Sequence, residues 1–507
     1  MQGIKHKNGS LISESPGVQY AVVFFAAAFL YTATCAPGPV WQDSGVIQYR
    51  VWHNDIEGRL GLALSHPLFY IIAIGAKYIP LGEFGYRVNI TTAIISAAAV
   101  ANLFLLLRLW LGRGLPAIIG AATFALSHTF WRHATIPETY NLYIALLLAE
   151  LIVLLRYFQT RRIGFLYAIG LLNGLAISDH MLASLGFACY AVFLLALLVK
   201  KRVSVKSLGI VLLLWIIGAA PYEYLIVKHL IQTGDLSATL SSAFFGTGYK
   251  DDVLNVSLSA RIVKENVCWI LLNFPTPNVL LFFVGLVMVR ALAPARAFAN
   301  IMLTLLVLFL VFAFRYSIVD RYAFFIPFYC IVSILIGVGA YYFVALRNNK
   351  VLGYIIIIFT LLPIPAYAAA PKFAKKLGVA SGRRREIPYR DDYKYFLQPW
   401  RTGYRGAEKF ADEVFAAADI DAIVYADTTT APPLLYAQQV KSKRGDIKII
   451  SRIGNSRGAP EFNPETIGKL LAERSVYVVC PLPGYCPAFL LEQYQFKQAG
   501  VIWKVVR

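Results

Sequence analysis

No HExxH, no CxxC and no clustered carboxylate–histidine box occurs in this chain, so the common metal-ligand spacings are missing. There is no GxSxG elbow, which argues against a nucleophilic hydrolase. P-loop and dinucleotide fingerprints are absent too, and with them the usual nucleotide-binding signatures. Internal repeats and low-complexity tracts are not visible. Cysteine is scarce, at 6 of 507 residues. Cys35, Cys189, Cys268 and Cys330 are scattered in or beside apolar runs. Cys480 and Cys486 flank Pro-Leu-Pro-Gly-Tyr, and either close a small loop outside the cytoplasm or stay as two unpaired thiols. Acid is in short supply, with 28 Asp and Glu against 48 Lys and Arg, a formal charge of +20. No basic stripe with interleaved aromatics accompanies that charge, so nucleic acid is not the expected partner.

What the chain does have is grease. Hydrophobic residues make up 58% of it, and the mean hydropathy is +0.60. Soluble domains run at roughly 45–50% apolar, so several membrane spans are expected. Apolar runs fall near 18–34, 88–107, 114–130, 139–155, 163–178, 182–199, 207–227, 267–289, 298–314, 322–345 and 351–369. That makes about eleven candidate spans. The first, Val18 to Thr34, lacks a convincing cleavage site and reads as a retained helix rather than a signal peptide. Pro67 to Ile79 is too short to cross comfortably and reads as an interfacial or re-entrant helix.

Alternate connections are basic: Lys5 and Lys7, Arg108 and Arg113, Arg156 with Arg161 and Arg162, Lys200-Lys201-Arg202, Arg290 with Arg296, and Arg347 with Lys350. The positive-inside rule puts that side in the cytoplasm, with the N-terminus inside and the tail outside. The expected setting is a bacterial inner membrane, and membrane lipid is the first partner. From about Pro371 the composition changes, through the charged linker Gly382-Arg383-Arg384-Arg385. The expected division is therefore a membrane domain over 1–370 and a small extracytoplasmic α/β domain over 371–507. In that tail, 405–418 reads as helix, and 422–426, 447–450, 476–480 and 501–506 read as strands.

Three polar islands interrupt the grease: Trp41-Gln42-Asp43-Ser44-Gly45, Trp131-Arg132-His133 running into Pro137-Glu138-Thr139-Tyr140, and Ser178-Asp179-His180. Threaded through a bilayer, all three emerge on the outer face, as a surface reaction or binding site would. Asp43 reads either as a general base at a partly desolvated interface or as the N-cap of a helix over 44–59. Glu138 follows a proline and begins a span, so it can simply favour a helix N-terminus. That reading leaves the crowd of Trp131, Arg132, His133 and Tyr140 unexplained. Asp320-Arg321-Tyr322 opens a later span, where Arg321 can bind a lipid phosphate or snorkel to headgroups. Glu150 lies about 18 Å below Glu138 along one helix, and a structural partner such as Arg156 is expected for it.

Several stretches carry a resemblance. Asp43-Ser44-Gly45 is followed by Leu62 and by Ser65-His66-Pro67-Leu68-Phe69-Tyr70. Phe124-Ala125-Leu126-Ser127 leads through Phe130-Trp131 to Pro137-Glu138-Thr139-Tyr140-Asn141-Leu142. Gly174-Leu175-Ala176-Ile177-Ser178-Asp179-His180 closes the set. In this order they resemble the polytopic glycosyltransferases of the GT-C superfamily, and within it the DUF2723 branch that includes the TMEM260-type protein O-mannosyltransferases. A looser likeness reaches Lys443-Arg444-Gly445-Asp446 in the tail. Val46 and Leu68 depart from the family pattern, which has an acid and a second proline there.

The resemblance implies a polytopic α-helical GT-C fold of about eleven spans, with an interfacial helix and a small C-terminal α/β domain. It implies a polyprenyl-phosphate sugar as donor, mannose being favoured, and a hydroxyl of a protein or envelope glycan as acceptor. Asp43 would then be the general base. Glu138 and His180, with His66, Trp131 and Tyr140, would line the sugar and acceptor pocket. Arg321, with Arg132 or Arg59, would stabilise the departing lipid phosphate, so that neither metal nor cofactor is implied. The alternatives are a lipid-linked sugar flippase or transporter, which needs polar groups at mid-membrane depth, and a non-catalytic membrane scaffold.

Overall fold

Each apolar run in the sequence folds as a helix or as a bent pair of helices. The computed structural model describes residues 15–318, 320–379 and 385–506. Lys5, Lys7, Arg383 and Arg384 lie outside those residues. Among the described residues, six helices are long and apolar enough to cross a membrane. They are Pro16–Thr34 (α1), Phe84–Leu111, Tyr140–Thr160, Val205–Thr233, Arg296–Arg315 and Arg321–Leu346. The count rises to 8 if each bent pair is one span: Ala260–Asn273 with Pro277–Leu292, bent by 104°, and Lys350–Leu361 with Pro363–Lys376, bent by 43°. The other runs, Gly114–Ala125, Gly164–Asp179 and Ala183–Val199, are apolar helices too short to pass that test. The expected count of spans therefore holds for apolar helices, while fewer of them meet the length of a full crossing. The protein is an integral membrane protein.

By contacts the chain divides into two compact units. Among the described residues, the first falls within 1–32, 94–131 and 140–366, and the second within 33–93, 132–139 and 367–507. In the first unit, small residues let helices approach closely, the main route to packing where lipid removes the hydrophobic drive. A Cβ on Gly174 would stand 2.1 Å from the Trp215 carbonyl, and one on Gly218 would stand 2.4 Å from that of Leu171. The helices Gly164–Asp179 and Val205–Thr233 thus touch backbone to backbone. Ser204 caps the start of the second of these by accepting from the Ser207 amide at 3.1 Å, and Gly234, at φ 65°, ends it.

Glu150 is buried in this unit. Tyr190 donates to it at 2.9 Å and Asn173 at 3.2 Å, while Trp215 donates to the Asn173 carbonyl oxygen at 3.1 Å. The expected partner Arg156 bonds Gln159 instead, at 3.0 Å. Six residues on, an arginine sits about 240° around the helix and cannot meet the carboxylate.

The second unit holds a sheet of order β2-β1-β3-β5-β4. Its strands are Ile423–Tyr425 (β1), Lys448–Ile450 (β2), Val476–Val478 (β3), Gln495–Ala499 (β4) and Ile502–Val506 (β5). The first three pair in parallel and the last two join antiparallel. All four strands expected from the sequence are present, as is the helix, at Gly406–Ala417. β4 was not expected: Gln495, Lys497 and Gln498 are polar and exposed, as suits an edge strand turned back through Gly500 at φ 61°. Cys480 and Cys486 are both buried and unbridged, and burial pushes the Cys486 thiol up to about 12.

Residues 33–93 contribute the helices Gln42–Trp52 (α2) and Pro67–Ile74 (α3) to this unit. Trp41 is 1% exposed and packs in the same core as Phe410, Val414 and Leu434. Its indole nitrogen donates to the Tyr404 hydroxyl at 2.7 Å. A fully buried large side chain stabilises by roughly 1.5–3 kcal/mol, and here the satisfied indole N–H avoids any loss from desolvation. The short helix expected over 67–79 is present as α3 continued by one tight turn, Gly75–Tyr78.

Candidate functional site

In the second unit, α2 begins at Gln42 and not at residue 44, and Trp41 occupies the N-cap position without a side-chain cap bond. Asp43 is therefore not the cap. Its carboxylate lies in the first turn, where the helix N-terminus favours negative charge, and the residue is exposed. Gln42 before it adopts φ 56°, a conformation uncommon for a residue with a side chain. The next two positions explain the Asp-Ser-Gly spelling. Ser44 is buried and donates to Glu138 at 2.7 Å. A Cβ on Gly45 would meet the Val40 carbonyl at 2.4 Å and the Pro432 side chain at 2.6 Å, so only glycine fits there.

Two turns along α2 stands Arg50, on the same face as Asp43 by helical spacing. It is buried, lies 3.6 Å over the Tyr70 ring, donates to the Ser65 carbonyl at 3.0 Å and pairs with Asp55 at 3.6 Å. Burial pushes the Tyr70 phenol up to about 12, with Arg50 opposing and Asp55, Glu138 and Asp43 adding to the rise. Tyr70 thus stands within electrostatic reach of all four, and keeps its proton at neutral pH. His66, at φ 52° and ψ 47°, precedes Pro67 at the first turn of α3. That proline suits the first turn, where its missing N–H costs no helix bond. Arg59 is exposed in the loop between α2 and α3. Arg132 is buried, 5.6 Å over Tyr395 and 5.2 Å over Phe396.

The remaining candidates belong to the first unit. Tyr140 opens the helix Tyr140–Thr160, and its ring lies 4.9 Å from that of His180, tilted by 39°. Phe324 lies 5.8 Å from the same imidazole and Tyr143 lies 6.1 Å from it. The His180 Nδ1 accepts from the Leu182 amide at 3.1 Å, which places the proton of the neutral ring on Nε2. Trp131 is buried. Arg321 is buried and ion-paired with Glu265; it donates to Asn266 at 3.2 Å and lies 4.6 Å over Trp269. A phosphate at Arg321 would share that guanidinium with Glu265.

Asp43, Glu138, His66, Arg59 and Arg132 thus share the second unit, while Trp131, Tyr140, His180 and Arg321 belong to the first. Arg50 and Tyr70 are additions that the sequence alone did not single out. The heptad-like step from Asp43 to Arg50 was the one signal available for the arginine.

Residues 63–205 match the family described as the protein O-mannosyl-transferase TMEM260 N-terminal domain. Among solved structures, ArnT from Cupriavidus metallidurans in the apo state is similar, at 12% identity and a TM-score of 0.58, over 97% of this chain and 98% of that one. The same protein bound to undecaprenyl phosphate is similar at 13% identity and a TM-score of 0.59, over 96% and 97%. No curated protein matches the sequence. Residues 63–205 thus match the TMEM260 N-terminal domain family, and the whole chain shares its fold with ArnT.

Proposed function

We propose that this GT-C glycosyltransferase moves a sugar, mannose by the family match, from a polyprenyl-phosphate donor to a hydroxyl of a protein or envelope glycan. The observation that carries this reading is the exposed Asp43 carboxylate, one residue from the Ser44–Glu138 hydrogen bond. The acceptor O–H would give its proton to Asp43 as its oxygen attacks the anomeric carbon. The bond from that carbon to the phosphate oxygen breaks, and the polyprenyl phosphate leaves with the electron pair. Inversion at the anomeric centre follows from a single displacement. Arginines can offset the charge that develops on a phosphate monoester leaving group without a metal, the role given to Arg321, Arg132 and Arg59. Glu138, His66, Trp131, Tyr140 and His180 are assigned to sugar and acceptor contacts. Undecaprenyl phosphate bound to ArnT, a protein of the same fold, supports a polyprenyl carrier.

The transporter alternative rests on Glu150, and that carboxylate is held by Tyr190 and Asn173 inside the first unit. The same proposal places the protein in a bacterial inner membrane with its tail outside. Its test is to incubate purified protein with radiolabelled polyprenyl-phosphate sugars and candidate acceptors. Covalent label in one acceptor supports transfer. Label that crosses vesicles without forming a bond contradicts it.

A further inference from the structure

A cavity of about 440 Å³ opens in the second unit. Tyr49 and His53, near the end of α2, form one wall, with ring centroids 4.5 Å apart. Gln439, Asn455, Ser456 and Arg457 face them from the helix Ala431–Gln439 and the loop after β2. Among the described residues, no aliphatic side chain and no carboxylate lines it. The lining sets two aromatic rings against amide, hydroxyl and guanidinium groups, a flat face opposite hydrogen-bonding groups.

The polar groups are fixed in advance. Gln438 donates to the Arg444 carbonyl at 2.9 Å and to the Ile447 carbonyl at 2.8 Å, and accepts from Ser456. Asn455 accepts from the Ser451 amide at 2.9 Å, and His53 bonds Gln439 at 2.5 Å. Arg444 pins the Lys443–Asp446 turn by pairing with Asp446 at 2.8 Å, which sets Gly445 at the cavity edge. That gives a structural role to the part of the tail where the family likeness was loosest.

A peptide is the obvious rival, and the sheet argues against it. β2 is an edge strand, and extended peptides bind such edges through the free backbone. At Ile449 both backbone groups are already used. Its amide donates to the Ser456 hydroxyl, and its carbonyl accepts from the Ser456 amide, each at 2.9 Å. The edge beside the cavity is closed to strand addition.

From this we propose that the cavity is a saccharide subsite, which seats a sugar unit of the acceptor with its C–H face on the Tyr49–His53 wall and its hydroxyls toward Gln439, Asn455 and Arg457. Tyr49 lies about 9 Å along α2 from Asp43, on another face. The site is thus a neighbour of the reacting centre and not part of it. The proposal rests on the transferase reading for the word acceptor, and on the cavity alone for the sugar.

The test uses the full chain in nanodiscs and saturation-transfer NMR with mannobiose, chitobiose and a glucuronate-containing disaccharide, alongside a serine-containing hexapeptide. At least one disaccharide should bind, and Tyr49→Ala or Gln439→Ala should weaken it on the order of tenfold. The same variants should raise the acceptor KM in transfer assays and leave kcat unchanged. Arg457→Ala, at an exposed position, serves where the others misfold. The proposal is overturned if no disaccharide binds, if the hexapeptide binds in its place, or if all three variants bind sugar as tightly as the parent. Sugar binding with no transfer from any donor supports the cavity and removes the transferase reading. Transfer with an unaltered KM in the variants does the reverse.

Discussion

At the residue scale, the Asp-Ser-Gly triplet divides its labour in a way that mutation can separate. Asp43 is exposed, Ser44 holds Glu138, and Gly45 lets the backbone pass Val40 and Pro432. Gly45→Ala should therefore act on stability, lowering it by about 1–3 kcal/mol through overpacking; thermal unfolding of the solubilised protein reads this directly. Arg50 carries a different burden. Its planar fork serves Tyr70, Asp55 and Ser65 together, a geometry that an ammonium cannot reproduce. Arg50→Lys should keep the charge and still cost about 1–3 kcal/mol. An unchanged melting temperature would contradict the role given to this arginine. None of this was legible from residue types alone. Asp43 and Glu138 stood out as acids in grease, whereas Arg50 and Tyr70 looked like ordinary members of a loop and an apolar helix. Their importance comes from contacts made by a fold that brings residues 50, 55, 65 and 70 together.

At the element scale, hydropathy told nearly all that was to be told. Every apolar run became a helix or a bent pair, because a lipid-facing backbone has few other ways to satisfy its hydrogen bonds. Among the elements that escaped are the helix Leu236–Phe245 and the edge strand β4. The first is short, with a serine-rich sequence, and the second is polar, so neither shows a strong period. Packing was also invisible until glycine positions could be placed against their neighbours. Gly174→Ala should loosen the contact between Gly164–Asp179 and Val205–Thr233, since its Cβ would stand 2.1 Å from the Trp215 carbonyl. A loss of about 1–3 kcal/mol is expected, measured as reduced resistance to denaturing detergent.

The turn at Lys443–Asp446 offers a pH test. Hydrogen bonding from Arg444 holds the Asp446 carboxyl down to about 2, against about 3.9 in an unfolded chain. A depressed carboxyl contributes stability above the unfolded value, and that contribution is lost as pH falls from about 4 toward 2. The pair is exposed to solvent, so its worth is small. Asp446→Asn should lower the melting temperature slightly at pH 6 and have no further effect near pH 2.

At the scale of the whole molecule, the composition changes near residue 370, and the contacts divide the chain between Ala366 and Tyr367. That boundary is not the whole division. Residues 33–93 and 132–139 fold with the tail, in one compact unit. No local pattern announces such long-range company, and Trp41 in the core with Phe410 and Leu434 is what secures it. Sidedness is the property at this scale that charge predicts and solution labelling can read. A cysteine at exposed Glu465 (Glu465→Cys) should react with an impermeant maleimide in intact spheroplasts, and one at Lys201 (Lys201→Cys) should react only after lysis. Reversed labelling would invert the orientation and place the tail in the cytoplasm.

The central claim is that Asp43 takes the acceptor proton during sugar transfer, and one comparison tests it most directly. Wild type and Asp43→Asn are assayed side by side with the same radiolabelled polyprenyl-phosphate sugar and acceptor, with thermal unfolding as the control for folding. The account predicts a fall in kcat on the order of 10²–10⁴-fold, with an unaltered melting temperature and little change in KM. Full activity in Asp43→Asn would contradict it.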